Sequence, residues 1–435
     1  MIRIFVALIA IVLALPARAG VDIQEVTTPG GIDAWLVEDH TLPFMALELR
    51  FRGGTTLDPA DALGATALMV ALLEEGAGDL DARGFARELE ALAASIRFDV
   101  DDDELSVSAR FLSENRAAAV DLLKTALTQP RFDADAIERV RAQVLSGLQS
   151  DARDPNTIAE QRLAEIAYGS HPYARPERGT LDSVAALTRA DLVAAHGAAI
   201  ARDRLYVGAV GDITADELGQ LLDGLLEGLP ATGAPIPGPA EVTITGGTTV
   251  VPFETPQSVA LFGQVGIARD DPDFFPAFVM NHILGGGGFE SRLMQEVREK
   301  RGLTYGVYSF LLPKDLAAVY LGSVASANDR VAAAIEVIRA EWARMAEGGV
   351  TEAELSAAKT YLTGAYPLRF DGHGRIASIM TGMQMQGLGV EYIDTRNDKV
   401  NAVTREDIAR VARRVLQPDN LHFVVVGQPE DLASQ

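Results

Sequence analysis

The sequence predicts an α+β fold of two homologous α/β-sandwich-type halves, each a mixed, mainly antiparallel sheet with helices on one face, joined by a proline-rich linker. Three observations predict it. The first is size: 435 residues, 48% hydrophobic and 23% charged, describe a globular chain too long for one ordinary core. The second is a repeat. Residues 187–212 and 403–428 align at a constant offset of 216 with seven of 26 positions identical, among them Thr188/Thr404, Asp191/Asp407, Asp203/Asp419 and Gly211/Gly427. Each copy reads as a threonine-capped helix with an acidic first turn, a turn, and an apolar strand ending at glycine. The third is the run Pro230 to Pro239, where four prolines in ten residues favour an extended linker.

Taken in order, residues 1–19 read as an export signal. Arg3 precedes an apolar run of 12 residues, Ile4 to Leu15, and Ala17-Arg18-Ala19 fits the small-x-small cleavage rule. The run is too short to span a bilayer, and no cysteine follows it to carry a lipid. The expected mature chain starts at Gly20, is soluble and sits in the periplasm. Residues 20–229 form the first half, 230–240 the linker and 241–435 the second half. Ile32–Val37 and Ala46–Arg52 read as early strands that pair locally. Helices are expected over Asp61–Glu75 and Asp81–Ala93. Ser95–Val100 and Leu105–Phe111 read as a hairpin turning through a solvated Asp101-Asp102-Asp103. The helix from Asp133 to Leu148 matches Thr351 to Tyr366 in apolar spacing, which extends the repeat.

Charge and cysteine usage narrow the chemistry. Net charge is −23, or −25 once Arg3 and Arg18 are removed, which disfavours nucleic acid and favours cationic or neutral peptides. There is no cysteine, so disulfides, thiolate catalysis and Cys-ligated metals are excluded. The six histidines, His40, His171, His196, His282, His373 and His422, include no two within five residues, so no local two-histidine metal motif exists. Gly285 to Gly288 is not followed by Gly-Lys-Ser/Thr and reads as close backbone approach or a mobile turn, not a phosphate loop. Residues 95–100 read as an edge strand open to an extended peptide or to a neighbouring subunit.

Three segments carry a family resemblance: Phe51-Arg52-Gly53-Gly54-Thr55-Thr56-Leu57-Asp58-Pro59 with Gly64; Gly169-Ser170-His171-Pro172-Tyr173-Ala174-Arg175-Pro176 with Gly179-Thr180; and Asn281-His282-Ile283-Leu284-Gly285-Gly286-Gly287-Gly288-Phe289, Ser291-Arg292-Leu293 and Arg298-Glu299-Lys300-Arg301-Gly302-Leu303-Thr304-Tyr305. In order and spacing they resemble the pitrilysin/insulinase family of zinc metallopeptidases, over essentially the whole mature chain. That family's signature is His-x-x-Glu-His on the helix after the first glycine turn, where two histidines four apart share one helix face and the glutamate activates zinc-bound water. Here the resemblance places Ala67, Val70 and Ala71 at those positions, and the third-ligand glutamate falls in Val144-Leu145-Ser146-Gly147-Leu148. None of these side chains ligates a metal, so no cofactor is expected in this chain.

The resemblance also implies an arginine–tyrosine pair that the second half lends to an active site. The matching residues are Arg298 and Tyr305, read as the end of a helix over Ser291–Lys300, stopped by Gly302, and the start of a strand over Tyr305–Leu311. The expected protein is therefore the non-catalytic subunit of a periplasmic heterodimeric metallopeptidase. A homologous partner carrying His-x-x-Glu-His and zinc does the chemistry on peptide substrates, and this chain completes the site with Arg298 and Tyr305 and encloses the chamber. The alternative is a peptide-binding or scaffold protein of the same fold with no peptidase role.

Overall fold

The computed structural model describes residues 21–432, so the expected export segment lies outside the described residues. The first half runs β1 (Gln24–Thr27), β2 (Asp33–Glu38), β3 (Phe44–Arg52), α1 (Ala65–Ala71), the short pair β4 (Gly76–Ala77) and β5 (Leu80–Asp81), α2 (Ala82–Ala91), β6 (Ser95–Val100) and β7 (Glu104–Leu112). Then come α3 (Arg116–Thr128), α4 (Ala134–Asp151), α5 (Pro155–Tyr168), α6 (Leu181–Ala186), α7 (Arg189–Ala199), β8 (Leu205–Gly211) and α8 (Ala215–Leu225). The second half comprises β9 (Gly247–Pro252), β10 (Gln257–Val265), α9 (Phe274–Asn281), β11 (Val307–Pro313), β12 (Ala318–Ala327), α10 (Val331–Gly348), α11 (Glu352–Ala365), α12 (His373–Met385), α13 (Tyr392–Ala402), α14 (Arg405–Val415) and β13 (His422–Gly427).

The early strands do not pair with each other. The first sheet has the order β1-β2-β8-β3-β7-β6, so β8 lies between β2 and β3, parallel to the former and antiparallel to the latter. The physical reason is burial. Val207, Ala209 and Val210 are apolar on both faces of β8, and only a central position hides both. The segment between β2 and β3 wraps the end of β8 instead of turning tightly: the Asp39 amide donates to the Gly211 carbonyl at 3.0 Å and the Asp212 amide to the Phe44 carbonyl at 3.1 Å. The second sheet, β9-β13-β10-β12-β11, repeats the order of the first from β2 onward and lacks a counterpart of β1, with β13 parallel to β9 and antiparallel to β10. The duplication legible in the sequence is thus a duplication of sheet topology. The paired helices agree: Thr188 and Thr404 both close capping boxes, with Asp191 and Asp407 respectively.

Each sheet packs its own half's helices on one face. The second face is covered from the other half. Helix α12 sets Ile376, Ala377, Met380 and Met383 against Trp35 and Val210 of the first sheet, and α5 sets Ala159, Leu163 and Ala167 against Val319, Val424 and Val426 of the second. The two helices occupy equivalent places in the repeat, so the exchange is reciprocal. Gly208 makes the approach of α12 possible, because a Cβ there would sit 2.7 Å from the Ala377 carbonyl oxygen.

The halves also meet at a charged contact that the sequence reading took for a solvated turn. Asp102 is buried and pairs with Lys314, and Arg52 donates to Asp315 at 2.6 Å. The Asp103 carboxylate accepts from the Asp315 amide at 3.1 Å and from the Tyr173 hydroxyl, which itself accepts from the Leu316 amide at 2.9 Å. Burial and the adjacent carboxylate push the Tyr173 phenol upward, so it stays a donor. The β6–β7 turn therefore docks on the equivalent β11–β12 turn of the other half. The linker is pinned along this seam, with the Gly238 carbonyl 3.0 Å from His171 and the Ala240 amide donating to Leu316 at 2.8 Å.

Gly208→Ala is expected to destabilise the protein by about 1–3 kcal/mol in urea unfolding through overpacking against Ala377. Gly197→Ala, in a helix with open space at the Cβ position, is expected to be neutral or to stabilise by up to about 1 kcal/mol.

Candidate functional site

The first half-site is built on α1. Its start is fixed by Asp58, whose carboxylate accepts from the Gly64 amide at 2.8 Å and from the Thr66 amide and hydroxyl at 2.9 and 2.6 Å. The helix is shorter than the Asp61–Glu75 run suggests, because Gly64 enters it in the left-handed conformation and Leu72 closes it. Ala67 and Ala71 lie one turn apart on one face, half-buried and exposed respectively, while Val70 is buried in the core. No side-chain oxygen or nitrogen stands at any of the three positions. On α4, Val144, Leu145 and Leu148 pack against the same core. A zinc ion has nothing to bind here, and no group of three or more His, Asp or Glu able to hold a metal occurs among the described residues.

The histidines are dispersed and engaged elsewhere. His40 bonds Asp212 at 2.7 Å, His196 the Leu127 carbonyl at 2.8 Å, His373 Asp39 at 2.9 Å, and His422 lies between Thr249 and the Thr245 carbonyl, both at 3.0 Å. His282 stacks on Tyr361 with ring centroids 5.1 Å apart, and burial pushes its pKa down.

The residues expected to form the second half-site, Arg298 and Tyr305, are differently disposed from each other. Residues 291–300 are helical, as expected, but the turn from Met294 to Glu299 is widened: the Lys300 amide donates to the Gln295 carbonyl at 3.0 Å, five residues back. Gly302, at φ +60°, ends it. Arg292 ties the segment to α11, donating to Glu354 at 2.6 and 2.9 Å and to the Gly349 carbonyl at 2.9 Å. Three cations crowd its end, and they are treated unequally. Glu296 takes Lys300 at 2.6 Å and Arg301 at 2.7 Å, and these two bonds hold its own pKa at about 2. Arg298 is left with Glu299 at 3.5 Å and the Phe289 ring, 4.6 Å from its guanidinium carbon.

Tyr305 does not start the strand, which begins two residues later at Val307. The cause is Thr304, whose hydroxyl donates to the Ala325 carbonyl at 2.6 Å and accepts from the Gly306 amide at 3.1 Å, locking a local turn. That turn projects Tyr305 outward, 84% exposed. The glycine run serves close packing: a Cβ on Gly285 would lie 2.3 Å from the Ser309 hydroxyl, so the run seats its helix on β11.

Sequence reasoning missed the aromatic surface of this region. Tyr308 and Phe310 alternate on the exposed face of edge strand β11, while Phe289 and Tyr361 are exposed nearby in the fold. The alternation Val307-Tyr308-Ser309-Phe310 was the available signal. At the other edge, β6 pairs with β7 alone among the described residues, and Glu74 accepts a hydrogen bond from the backbone of Phe98 in that strand.

Two equivalent halves and a peptidase-type helix without metal-ligating side chains define a class: an inactive member of a two-half metallopeptidase fold. Comparison agrees. Residues 34–181 match the family model for insulinase (peptidase family M16), and residues 186–362 match the model for the peptidase M16 inactive domain. A crystal structure of a peptidase M16 inactive domain from Pseudomonas fluorescens superposes with a TM-score of 0.88 at 30% identity, covering 95% of this chain and 99% of that one. A non-peptidase homolog, YmxG, of Helicobacter pylori is 29% identical over 393 residues, 89% of this chain and 90% of its own. The mitochondrial-processing peptidase subunit beta of Saccharomyces cerevisiae is 24% identical over 371 residues, 81% and 80% of the two chains. The chain belongs to peptidase family M16.

Two outcomes follow from this site. Elemental analysis of the purified chain should find zinc far below one equivalent, with no peptide cleavage by the chain alone. Glu354 is pushed up by burial but held down more strongly by Arg292 and the Thr351 cap, to about 2 against an ordinary 4.5. Its stabilising contribution is full above the ordinary value and is lost as pH falls towards 2. Urea unfolding should show less loss between about pH 5 and pH 2 for Glu354→Gln than for the wild type.

Proposed function

We propose that this chain is the non-catalytic subunit of a two-chain periplasmic zinc metallopeptidase. A homologous partner bearing His-x-x-Glu-His holds the zinc and activates water. This chain contributes Arg298 and Tyr305 to that site and forms part of the wall around the peptide. The observation that carries the reading is the unequal treatment of charge at the end of the 291–300 helix. Lys300 and Arg301 share Glu296 at 2.6 and 2.7 Å, whereas Arg298 has only the longer 3.5 Å contact with Glu299 and the Phe289 ring, and Tyr305, seven residues on, is 84% exposed.

The chemistry suits the pair. A planar guanidinium forks onto a carbonyl or carboxylate and fixes the peptide. A phenolic hydroxyl donates to the oxyanion that forms when the scissile carbonyl is attacked. Neither group needs a metal in its own chain. The naming of one relative as a subunit of a peptidase fits a shared assembly.

The test is co-expression with an exported M16 chain that carries His-x-x-Glu-His and is encoded beside this one. The two should co-purify and cleave peptides together. Arg298→Ala and Tyr305→Phe should each lower kcat by about 100- to 1,000-fold while leaving the association intact. Wild-type turnover in both variants, or peptide cleavage by the partner that this chain does not change, defeats the reading and favours a scaffold.

A further inference from the structure

A second cavity, of about 390 Å³, lies between α9, α12, α13 and the segment joining α11 to α12. It is independent of the Arg298–Tyr305 pair and of any partner chain. Its lining contradicts the composition of the protein. The chain has 61 acidic and 38 basic residues, yet four arginines line this cavity and no carboxylate does.

Of the four, only Arg50 is neutralised, by Glu104 at 2.9 Å. Arg269 donates to the Tyr392 hydroxyl at 2.7 Å and to Gln386 at 3.2 Å, with its guanidinium carbon 4.2 Å from the Phe274 ring centre. Arg396 is 5% exposed, donates to the Leu362 carbonyl at 2.8 Å and to Asn397 at 3.0 Å, and lies 4.6 Å from the Tyr366 ring centre. The exposed Arg369 side chain makes no hydrogen bond or ion pair among the described residues. Elsewhere in the chain Lys314 has Asp102 and Arg292 has Glu354, whereas Arg175 and Arg339, like Arg396, bond to backbone carbonyls. Here three guanidiniums face one space with only neutral partners and aromatic rings. Burial and the charge of Arg369 both oppose the charge on Arg396.

Like charges gathered around one space repel, most strongly at the buried Arg396, and an anion placed among them relieves that repulsion. The guanidinium plane matches a carboxylate in two-point geometry. The rings of Phe274, Phe278, Tyr366 and Tyr392 offer an apolar bed for whatever carries the carboxylate. The volume is at the small end of the range for small-molecule sites. From these features we infer that the cavity binds a monocarboxylate bearing one aromatic or similarly sized apolar group. A peptide ending in phenylalanine and a free aryl acid share that chemistry.

The test is calorimetric titration of the full mature chain with N-acetylphenylalanine, its amide, Ala-Ala-Phe free acid and phenylpropionate. The acid should bind saturably, and the amide should bind at least about ten-fold more weakly. Arg369→Gln should weaken the acid about ten-fold with an unchanged urea midpoint, since that side chain has no hydrogen-bond partner in the protein. Tighter binding of Ala-Ala-Phe than of phenylpropionate assigns the pocket to peptide C-termini, and the reverse assigns it to free aryl acids. The inference fails if no acid binds at millimolar concentration, if acid and amide bind equally, or if Arg369→Gln leaves binding of the acid unchanged.

Discussion

The structure depends on one constraint: each of its two sheets has two apolar faces and enough helices of its own to cover only one. Trp35 and Val210 on one sheet, and Val424 and Val426 on the other, point away from their own half's main core. Exposing such faces to water is costly in proportion to their area. The cost is avoided by trading equivalent helices, α12 in one direction and α5 in the other. Neither half is therefore a self-sufficient folding unit, although each has the strand order of one. The buried contact between the β6–β7 and β11–β12 turns sets the angle at which the trade occurs, because Asp102, Asp103 and Tyr173 find their partners only when Lys314, Asp315 and Leu316 arrive.

That rigid frame gives the site its asymmetry. In the first half, α1 carries apolar residues where imidazoles and a carboxylate would otherwise have to be held unpaired beside a core, and Val70 joins the core outright. In the second half, the surroundings of Arg298 and Tyr305 hold the segment in place and leave the tyrosine exposed. Glu296 neutralises two neighbouring cations, Arg292 anchors the segment to Glu354, and Thr304 turns the backbone so that Tyr305 stands clear.

Much of this was legible in the sequence, and the boundary is physical. Capped helices, the 95–111 hairpin, the linker and the duplication are written in local pattern, and the structure reproduces them. What the sequence hid was every feature set by distant partners. The insertion of β8 between β2 and β3 depends on pairing across more than 150 residues. The burial of Asp102 and Asp103, residues that look like a wet turn, depends on a hairpin some 210 residues away. The extent of the strand after Gly302 was misjudged because one threonine hydroxyl, bonded to Ala325, overrides the β propensity of Tyr305. The arginine-lined cavity draws on four separate segments, none of which is unusual by itself.

The reciprocal helix trade has a consequence for how such a chain can arise. A polypeptide comprising one half alone would still need a foreign helix on its bare sheet face, and a second identical copy supplies it at no further cost in new surface. Two such copies form a closed, swapped pair with twofold symmetry. Gene duplication and a short proline-rich tether then convert that pair into a single chain, after which the two copies are free to diverge. A ligand-free helix in the first half and an exposed tyrosine after the 292–299 helix in the second show how far the two copies differ.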